Sequence, residues 1–256
     1  MTRSIDINSD LGEGYGPFHA GADVDAILFP LISSANVAAG FHGGDPRTIA
    51  KTVATAKAHD VAVGAHPGFP DLVGFGRRTI LASPEEVEAD VVYQIGAVAA
   101  FCRVAGIPLH HVKAHGALYN LAVKERPIAD AIAEAVATYD PERTIAFYAL
   151  PGSQLEAAGL ARGLKVVREA FADRAYNADG SLVARSIPGS VITDPELVAE
   201  RMLRFVETGA IETIDGQTIE LAADTICIHS DTPTAVPIAQ ALRARFDAAG
   251  ITVRTV

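Results

Sequence analysis

Short apolar runs recur along this chain, and the clearest of them carry polar residues two positions apart. In Ile5-Asp6-Ile7-Asn8-Ser9-Asp10, the residues Asp6, Asn8 and Asp10 alternate with Ile5 and Ile7. Residues two apart share one face of a strand, so the polar set points one way and the isoleucines the other. The same alternation returns in His111-Val112-Lys113-Ala114-His115 and in Thr225-Ile226-Cys227-Ile228-His229-Ser230-Asp231. Burying charged groups is costly unless they are paired or used. Strands that deliver such groups at their C-terminal ends therefore predict a functional site where they converge.

The pattern predicts strands over Ser4–Ser9, Ser34–Ala39, Val61–His66, Leu109–Lys113, Thr144–Leu150, Lys165–Glu169 and Thr225–His229, with a short terminal strand over Thr252–Val256. Helices are expected between them. The first is short, near Asp23–Ile32, after a loop holding Gly12, Gly14, Gly16 and Pro17. Asp45-Pro46 starts a helix to about His59, with Asp as cap and Pro in the first turn. Ser83-Pro84-Glu85-Glu86 reads as a capping box opening a helix to Ala105. Further helices are expected over Leu121–Tyr139, from Pro151-Gly152 to Arg162, from Asp194 to Thr208, and from a Thr232-Pro233 cap to Gly250. Residues 171–192 read as irregular, and Asp215-Gly216 as a hairpin turn between Ile211–Ile214 and Gln217–Leu221.

Strands alternating with helices build parallel βα units. Central strands of an open doubly wound sheet are apolar on both faces, whereas here one face is polar and suits a barrel lumen. The expected fold is therefore α/β: a single (β/α)-barrel domain over residues 1–256, with seven main strands and imperfect closure. The length of 256 residues is ordinary for one such barrel.

Composition narrows the class. Hydrophobic residues make up 49%, enough for a large core. The net charge of −10, with no basic cluster, argues against nucleic acid as a partner. Cys102 and Cys227 have no metal-ligand spacing and suggest no disulfide framework. No signal peptide is read at Met1-Thr2-Arg3-Ser4, and no apolar run reaches the roughly 18 residues of a membrane span. A cytoplasmic protein without membrane contact is expected.

Chemistry sits at the C-terminal face of the strands in such barrels. That face should gather Asp10, Glu13, Asn36, His42, Asp45, His66, Lys113, His115, Glu169, Asp173, Arg174, His229 and Asp231. Each alone has a plain structural role open to it, Asp45 as a helix cap and Asp6 as a partner of loop backbone at the barrel bottom. Together they are dense for a merely structural barrel. His111 and His115 have helical metal-pair spacing, but on an extended strand they stand roughly 13 Å apart, with the Lys113 ammonium between them. A divalent-metal site of Asp10, His42 and His66 is chemically sound, since one carboxylate and two imidazoles suit zinc or iron. It needs the three to converge. There is no P-loop and no G-x-S-x-G elbow.

Several of these strings resemble the LamB/YcsF family. They are Asp6–Glu13, Asn36–Pro46, Gly64–Gly68, Gly74-Phe75-Gly76-Arg77-Arg78, Val112–Asn120, Glu169–Arg174 and His229–Pro233, which span almost the whole chain. Departures from the family pattern are Ser9 and Ala39 in place of frequent cysteines, Ala114 in place of a usual proline, and Ser230 in place of a usual glycine. The resemblance implies a barrel related to glycoside hydrolase and deacetylase folds. It also implies ATP-dependent opening of 5-oxo-L-proline to L-glutamate, in a complex with B and C subunits, with ATP as co-substrate. On that expectation Asp10, Glu13, His66, His115 and Lys113 carry catalysis. Asn36, His42, Asp45, Arg78, Glu169, Arg174, His229 and Asp231 bind substrate, with Gly43-Gly44-Asp45 offering backbone donors to an anion. A metal-dependent deacetylase or amidohydrolase acting on a small amide or carbohydrate is the alternative. A third reading is a non-catalytic binding component of a complex. Homo-oligomer and hetero-complex are both left open.

Overall fold

A computed structural model describes residues 4–16 and 22–256. Met1, Thr2, Arg3 and the expected loop residue Pro17 lie outside them. Seven parallel strands form the barrel: β1 (Ser4–Leu11), β2 (Ser34–Ala38), β3 (Ala62–His66), β4 (His111–Val112), β5 (Ala146–Ala149), β6 (Lys165–Phe171) and β9 (Thr225–Ile228). They follow one another in space in chain order. The gap expected from sequence is not there. β9 pairs with β1 from Asp6↔Thr225 to Ser9↔Ile228 and closes the ring. The seam is reinforced by two side chains: Ser9 Oγ donates to Ile228 O at 2.7 Å, and Ser230 Oγ to Asp10 O at 2.5 Å. The thinnest wall is β4, which pairs through only two residues on each side.

Outside the ring pack α1 (Ala22–Leu28), continued by a 3-10 turn (Phe29–Leu31), then α2 (Pro46–Ala58), α3 (Pro84–Ala105), α4 (Gly116–Lys124), α5 (Arg126–Tyr139), α6 (Gln154–Ala161), α7 (Pro195–Thr208) and α8 (Ala235–Ala248). The outward faces of the strands, with Ile5, Ile7, Val37, Val63, Val112, Phe147 and Ile226, are buried against these helices and form the main core. Burial of a large aliphatic side chain contributes on the order of 1.5–3 kcal/mol, so this layer holds the fold. The hairpin expected at Asp215-Gly216 is present as β7 (Ala210–Glu212) against β8 (Thr218–Glu220). The terminal strand is the two-residue β10 (Thr252–Val253), parallel to β1 at Ser4–Ile5.

Two helix expectations need correction. The single helix over Leu121–Tyr139 is in fact two, and the first begins earlier, at Gly116. Pro127 explains the break. It has no N–H for the preceding turn and its ring clashes there, so Glu125 turns extended (φ −104°, ψ 108°) and a new helix starts with Pro127 in its first turn. The last helix begins at Ala235 with no side-chain cap, not at a Thr232-Pro233 cap. The capping box at Ser83 and Glu86 is present as expected.

The lumen is polar from bottom to mouth. At the bottom, four hydroxyls donate to the buried Asp6 carboxylate: Ser33 (2.5 Å) and Ser34 (2.8 Å) to Oδ1, Thr225 (2.6 Å) and Tyr148 (3.0 Å) to Oδ2. Asp6 thus binds side chains from three other strands or their edges, not loop backbone. Above it, Asn36 Nδ2 donates to Asn8 Oδ1 at 2.7 Å, and His111 Nε2 lies 2.7 Å from Asn36 Oδ1. His111 stacks on Tyr148 and fills the space left by Gly64, where an added Cβ would come within 2.1 Å of the imidazole.

That contact sets a pair of opposite expectations. Gly64→Ala should destabilise by about 1–3 kcal/mol through overpacking. Gly96→Ala, in the exposed middle of α3 with nothing within 4 Å, should stabilise by about 1 kcal/mol through helix propensity. Urea unfolding of the two variants checks both signs.

Candidate active site

Lys113 stands at the centre of the next layer up and is 2% exposed. Its Nζ donates to Asp10 Oδ1 (3.0 Å), Asn8 Oδ1 (3.1 Å) and Cys227 Sγ (3.0 Å). Glu169 Oε1 lies 2.8 Å away as an ion pair, without the alignment of a directed hydrogen bond. Burial pushes the Lys113 pKa down, but Asp10, Cys227 and Glu169 outweigh it and hold the ammonium well above its ordinary range. Lys113 is a fixed cation, not a base. Burial likewise pushes Asp10 up, and His66 and Lys113 more than reverse it, so Asp10 stays anionic well below the usual carboxylate range. Asn36 Nδ2 also donates to Asp10 Oδ1 at 2.8 Å and fixes its orientation.

Above this layer three imidazoles and a carboxylate meet. His66 Nδ1 lies 2.8 Å from the Lys113 carbonyl and His115 Nε2 2.8 Å from the Phe75 carbonyl. A carbonyl only accepts, so both of these nitrogens carry hydrogen. The other nitrogens, His66 Nε2 and His115 Nδ1, face each other at 3.0 Å. Glu13 Oε1 lies 3.3 Å from His115 Nδ1 and 3.1 Å from His42 Nε2. His42 and His115 stack face to face, 3.6 Å between centroids and 3° between planes. Burial first, then a neighbouring imidazole, pushes His42 and His115 well below the ordinary histidine pKa. Burial raises that of Glu13.

The loop Gly74–Arg78 presses on this stack. Gly76 takes φ +62°, and a Cβ there would lie 2.7 Å from His42 Cβ and 2.8 Å from His115 Cδ2. Only glycine supplies both the left-handed backbone and the room. Phe75 beside it also has positive φ (55°) and turns its carbonyl to His115.

A cavity of ≈ 390 Å³ opens above, of a size that suits a small ligand. Its floor is Asp10, Glu13, His66, Lys113 and His115, and its walls include Tyr119, Phe171 and His229. Its rim carries Arg77, Lys124 and Arg185, with Asp231 paired to Arg77 at 2.5 Å, and the buried Arg174, bonded to the Ser190 and Val183 carbonyls, stands in its wall. His229 Nδ1 donates to Asp173 at 2.9 Å, which overcomes burial and lowers the Asp173 pKa.

Residues 5–256 match the model of the LamB/YcsF family. The chain belongs to that family. A protein of Thermus thermophilus, named as the A subunit of 5-oxoprolinase, is 54% identical over 250 residues, covering 98% of each chain. A protein of the same name from Symbiobacterium thermophilum is 51% identical over 251 residues, 98% of this chain and 95% of that one. The crystal structure of the lactam utilization protein from Thermus thermophilus superposes with a TM-score of 0.94 at 53% identity, over 99% of this chain and 100% of that one.

Within this LamB/YcsF barrel, the expected residues separate into three groups. Asp10, Glu13, His66, Lys113, His115, Arg174, His229 and Asp231 line the cavity. Asn36, His42 and Glu169 lie beneath it and hold residues that line it. Asp45 and Arg78 are elsewhere. Asp45 caps α2, accepting from Arg47 N (2.8 Å) and Thr48 N (3.1 Å), and also takes Gly16 N at 2.9 Å. The helix start expected to receive an anion is thus filled by its own side chain. Arg78 points outward to an ion pair with Asp71, and its neighbour Arg77 lines the cavity instead. The metal set of Asp10, His42 and His66 is replaced by Glu13, His42, His66 and His115 as the group within mutual reach. A second group, Asp10, Cys227 and His229, is already served by the Lys113 ammonium, which bonds to two of its members.

Sequence reasoning missed Tyr119, Arg77, Lys124 and Arg185 as wall and rim residues. Tyr119 lies inside the family-like string Val112–Asn120 and Arg77 next to the residue chosen, but strand alternation says nothing about side chains from loops and helix starts. Tyr119, in the cavity wall, has a buried hydroxyl beside Glu169 without a well-aligned hydrogen bond.

The neutral imidazoles fix a pH dependence. His111 is pushed well below its ordinary pKa by burial, then by His110, as His42 and His115 are by burial. The unfolded chain takes up protons on these residues near pH 6.5, and the folded chain only further down. Below about pH 6.5 the unfolded state therefore binds more protons, and stability falls as pH falls. Asp25, raised to about 7 by burial, acts in the opposite sense over the same window, so the check is a difference: between pH 7 and pH 5 the urea midpoint of the wild type should fall relative to that of His111→Gln.

Proposed function

We propose that this chain is the A subunit of a 5-oxoprolinase that acts in a complex with B and C subunits. The reaction is the ATP-dependent opening of 5-oxo-L-proline to L-glutamate, in the cytoplasm. The observation that carries the reading is the cavity floor, where a fixed anion (Asp10) and a fixed cation (Lys113) stand 3.0 Å apart beside the imidazoles of His66 and His115. The arginine-rich rim above suits a small anionic amide. Relatives named as the A subunit of 5-oxoprolinase, at 54% and 51% identity, favour this over a deacetylase.

A lactam carbonyl is a poor electrophile. In this reading ATP phosphorylates the lactam oxygen as the ring nitrogen gives up its proton, leaving ADP and a cyclic imidate phosphate. Water adds to the ring carbon and gives its proton to the carboxylate–imidazole pairs Asp10–His66 and Glu13–His115, groups suited to general acid–base work. The carbon–nitrogen bond breaks as the nitrogen is protonated from the same groups, forming an acyl phosphate. A second water releases phosphate and completes glutamate. Lys113 sits where negative charge develops on the attacked carbon's oxygen and needs no reorganisation to stabilise it. Arg174 in the wall and Arg77 at the rim hold the substrate carboxylate or the phosphate. Asn36, His42 and Glu169 orient the floor residues without touching substrate.

Two variants test this in the reconstituted complex. Asp10→Asn should lower kcat for ATP-dependent glutamate formation by at least about 100-fold, with the circular dichroism spectrum retained. Arg174→Gln should mainly raise KM for 5-oxo-L-proline. Near-normal turnover of a folded Asp10→Asn protein would remove the floor from the mechanism.

A further inference from the structure

The two facing nitrogens of His66 and His115 pose a problem that the acid–base reading leaves open. Both rings donate their other N–H to a backbone carbonyl and turn their inward nitrogens toward each other at 3.0 Å, with Asp10 Oδ1 3.4 Å from His66 Nε2. Two ring nitrogens that close need a shared proton or a cation between or beside them. Glu13 Oε1, 3.3 Å from His115 Nδ1, adds a third donor atom to the same point. From these contacts we propose that Glu13, His66 and His115 form a binding site for one divalent transition-metal cation, with its open side toward the cavity.

Three features support the assignment. Donors bonded at about 2.0–2.1 Å in tetrahedral array lie about 3.3–3.4 Å apart, and the two separations here are 3.0 and 3.3 Å. Each imidazole is already oriented through its second nitrogen by a carbonyl, the arrangement that metal-ligating histidines ordinarily show. Glu13, His66 and His115 also all line the cavity floor, which leaves the shared point open to a ligand from above.

The geometry also says what His42 does. Its ring is parallel to that of His115 at 3.6 Å, and one ion cannot lie in both planes. His42 Nε2–H donates to Glu13 Oε1, so it positions the carboxylate and is not a ligand. This set shares only His66 with the one the sequence suggests. Asp10 is engaged by Lys113 and Asn36. The inference stands independently of the substrate assigned above. Occupancy withdraws His66, His115 and Glu13 from proton transfer and leaves that task to Asp10.

The test is metal binding by the full chain, without turnover. Protein stripped with chelator and desalted is titrated with Co²⁺ and then Zn²⁺. One equivalent of Co²⁺ should bind with visible d–d absorption and be displaced by one equivalent of Zn²⁺. Glu13→Gln and His115→Gln should each weaken Co²⁺ binding by well over about tenfold, while His42→Phe, which keeps the stack, should retain one equivalent. Zinc-edge X-ray absorption of the wild-type protein needs no variant and should count two imidazoles with oxygen donors. Failure of the folded wild-type chain to bind a near-stoichiometric amount of either metal would overturn the site. So would unchanged affinity in folded Glu13→Gln and His115→Gln, or a bound zinc with no imidazole neighbours. A proton shared between His66 and His115 would then be what lies between them.

Discussion

Everything in the upper half of the barrel is arranged around a buried ammonium. An isolated charge at the Lys113 position, just past β4, would be prohibitively costly, and it is made tolerable by groups from three strands: Asn8 and Asp10 of β1, Glu169 of β6 and Cys227 of β9. Such an arrangement is weak evidence for net stability, since desolvation offsets much of the attraction. Its effect is on register. A slip of one residue in any of these strands turns its polar set into the helix layer and leaves the ammonium uncompensated.

The polar lumen is graded along its axis. Hydroxyls surround Asp6 at the bottom, amides follow at Asn8 and Asn36, then the fixed ions, then the imidazoles at the mouth. Each layer satisfies the one beneath it, so orphaned polar atoms gather near the top. Among the described residues, the buried side-chain atoms without hydrogen bonds include the Tyr119 hydroxyl, both Glu169 oxygens and His42 Nδ1. A substrate entering the cavity above them completes the column.

Much of this was legible in the sequence because strand geometry is simple. Alternation at Asp6, Asn8 and Asp10, or at His111, Lys113 and His115, assigns a face with no knowledge of the partner strand. Three consequences were not readable. Closure of β9 on β1 depends on the sum of the strand tilts. The choice of Arg77 over Arg78 depends on a loop turning at Phe75 and Gly76. The replacement of Asp10 by Glu13 and His115 in the imidazole group depends on how far past its strand each chain segment travels. The break at Pro127 was present in the sequence, but the apolar periodicity running through it masked the interruption.

The short pairing of β10 with the start of β1 brings Ser4 and Thr252 side by side at the end of the barrel opposite the cavity. It also makes that end the natural place for a tether to a support, since the opening then faces away from the surface.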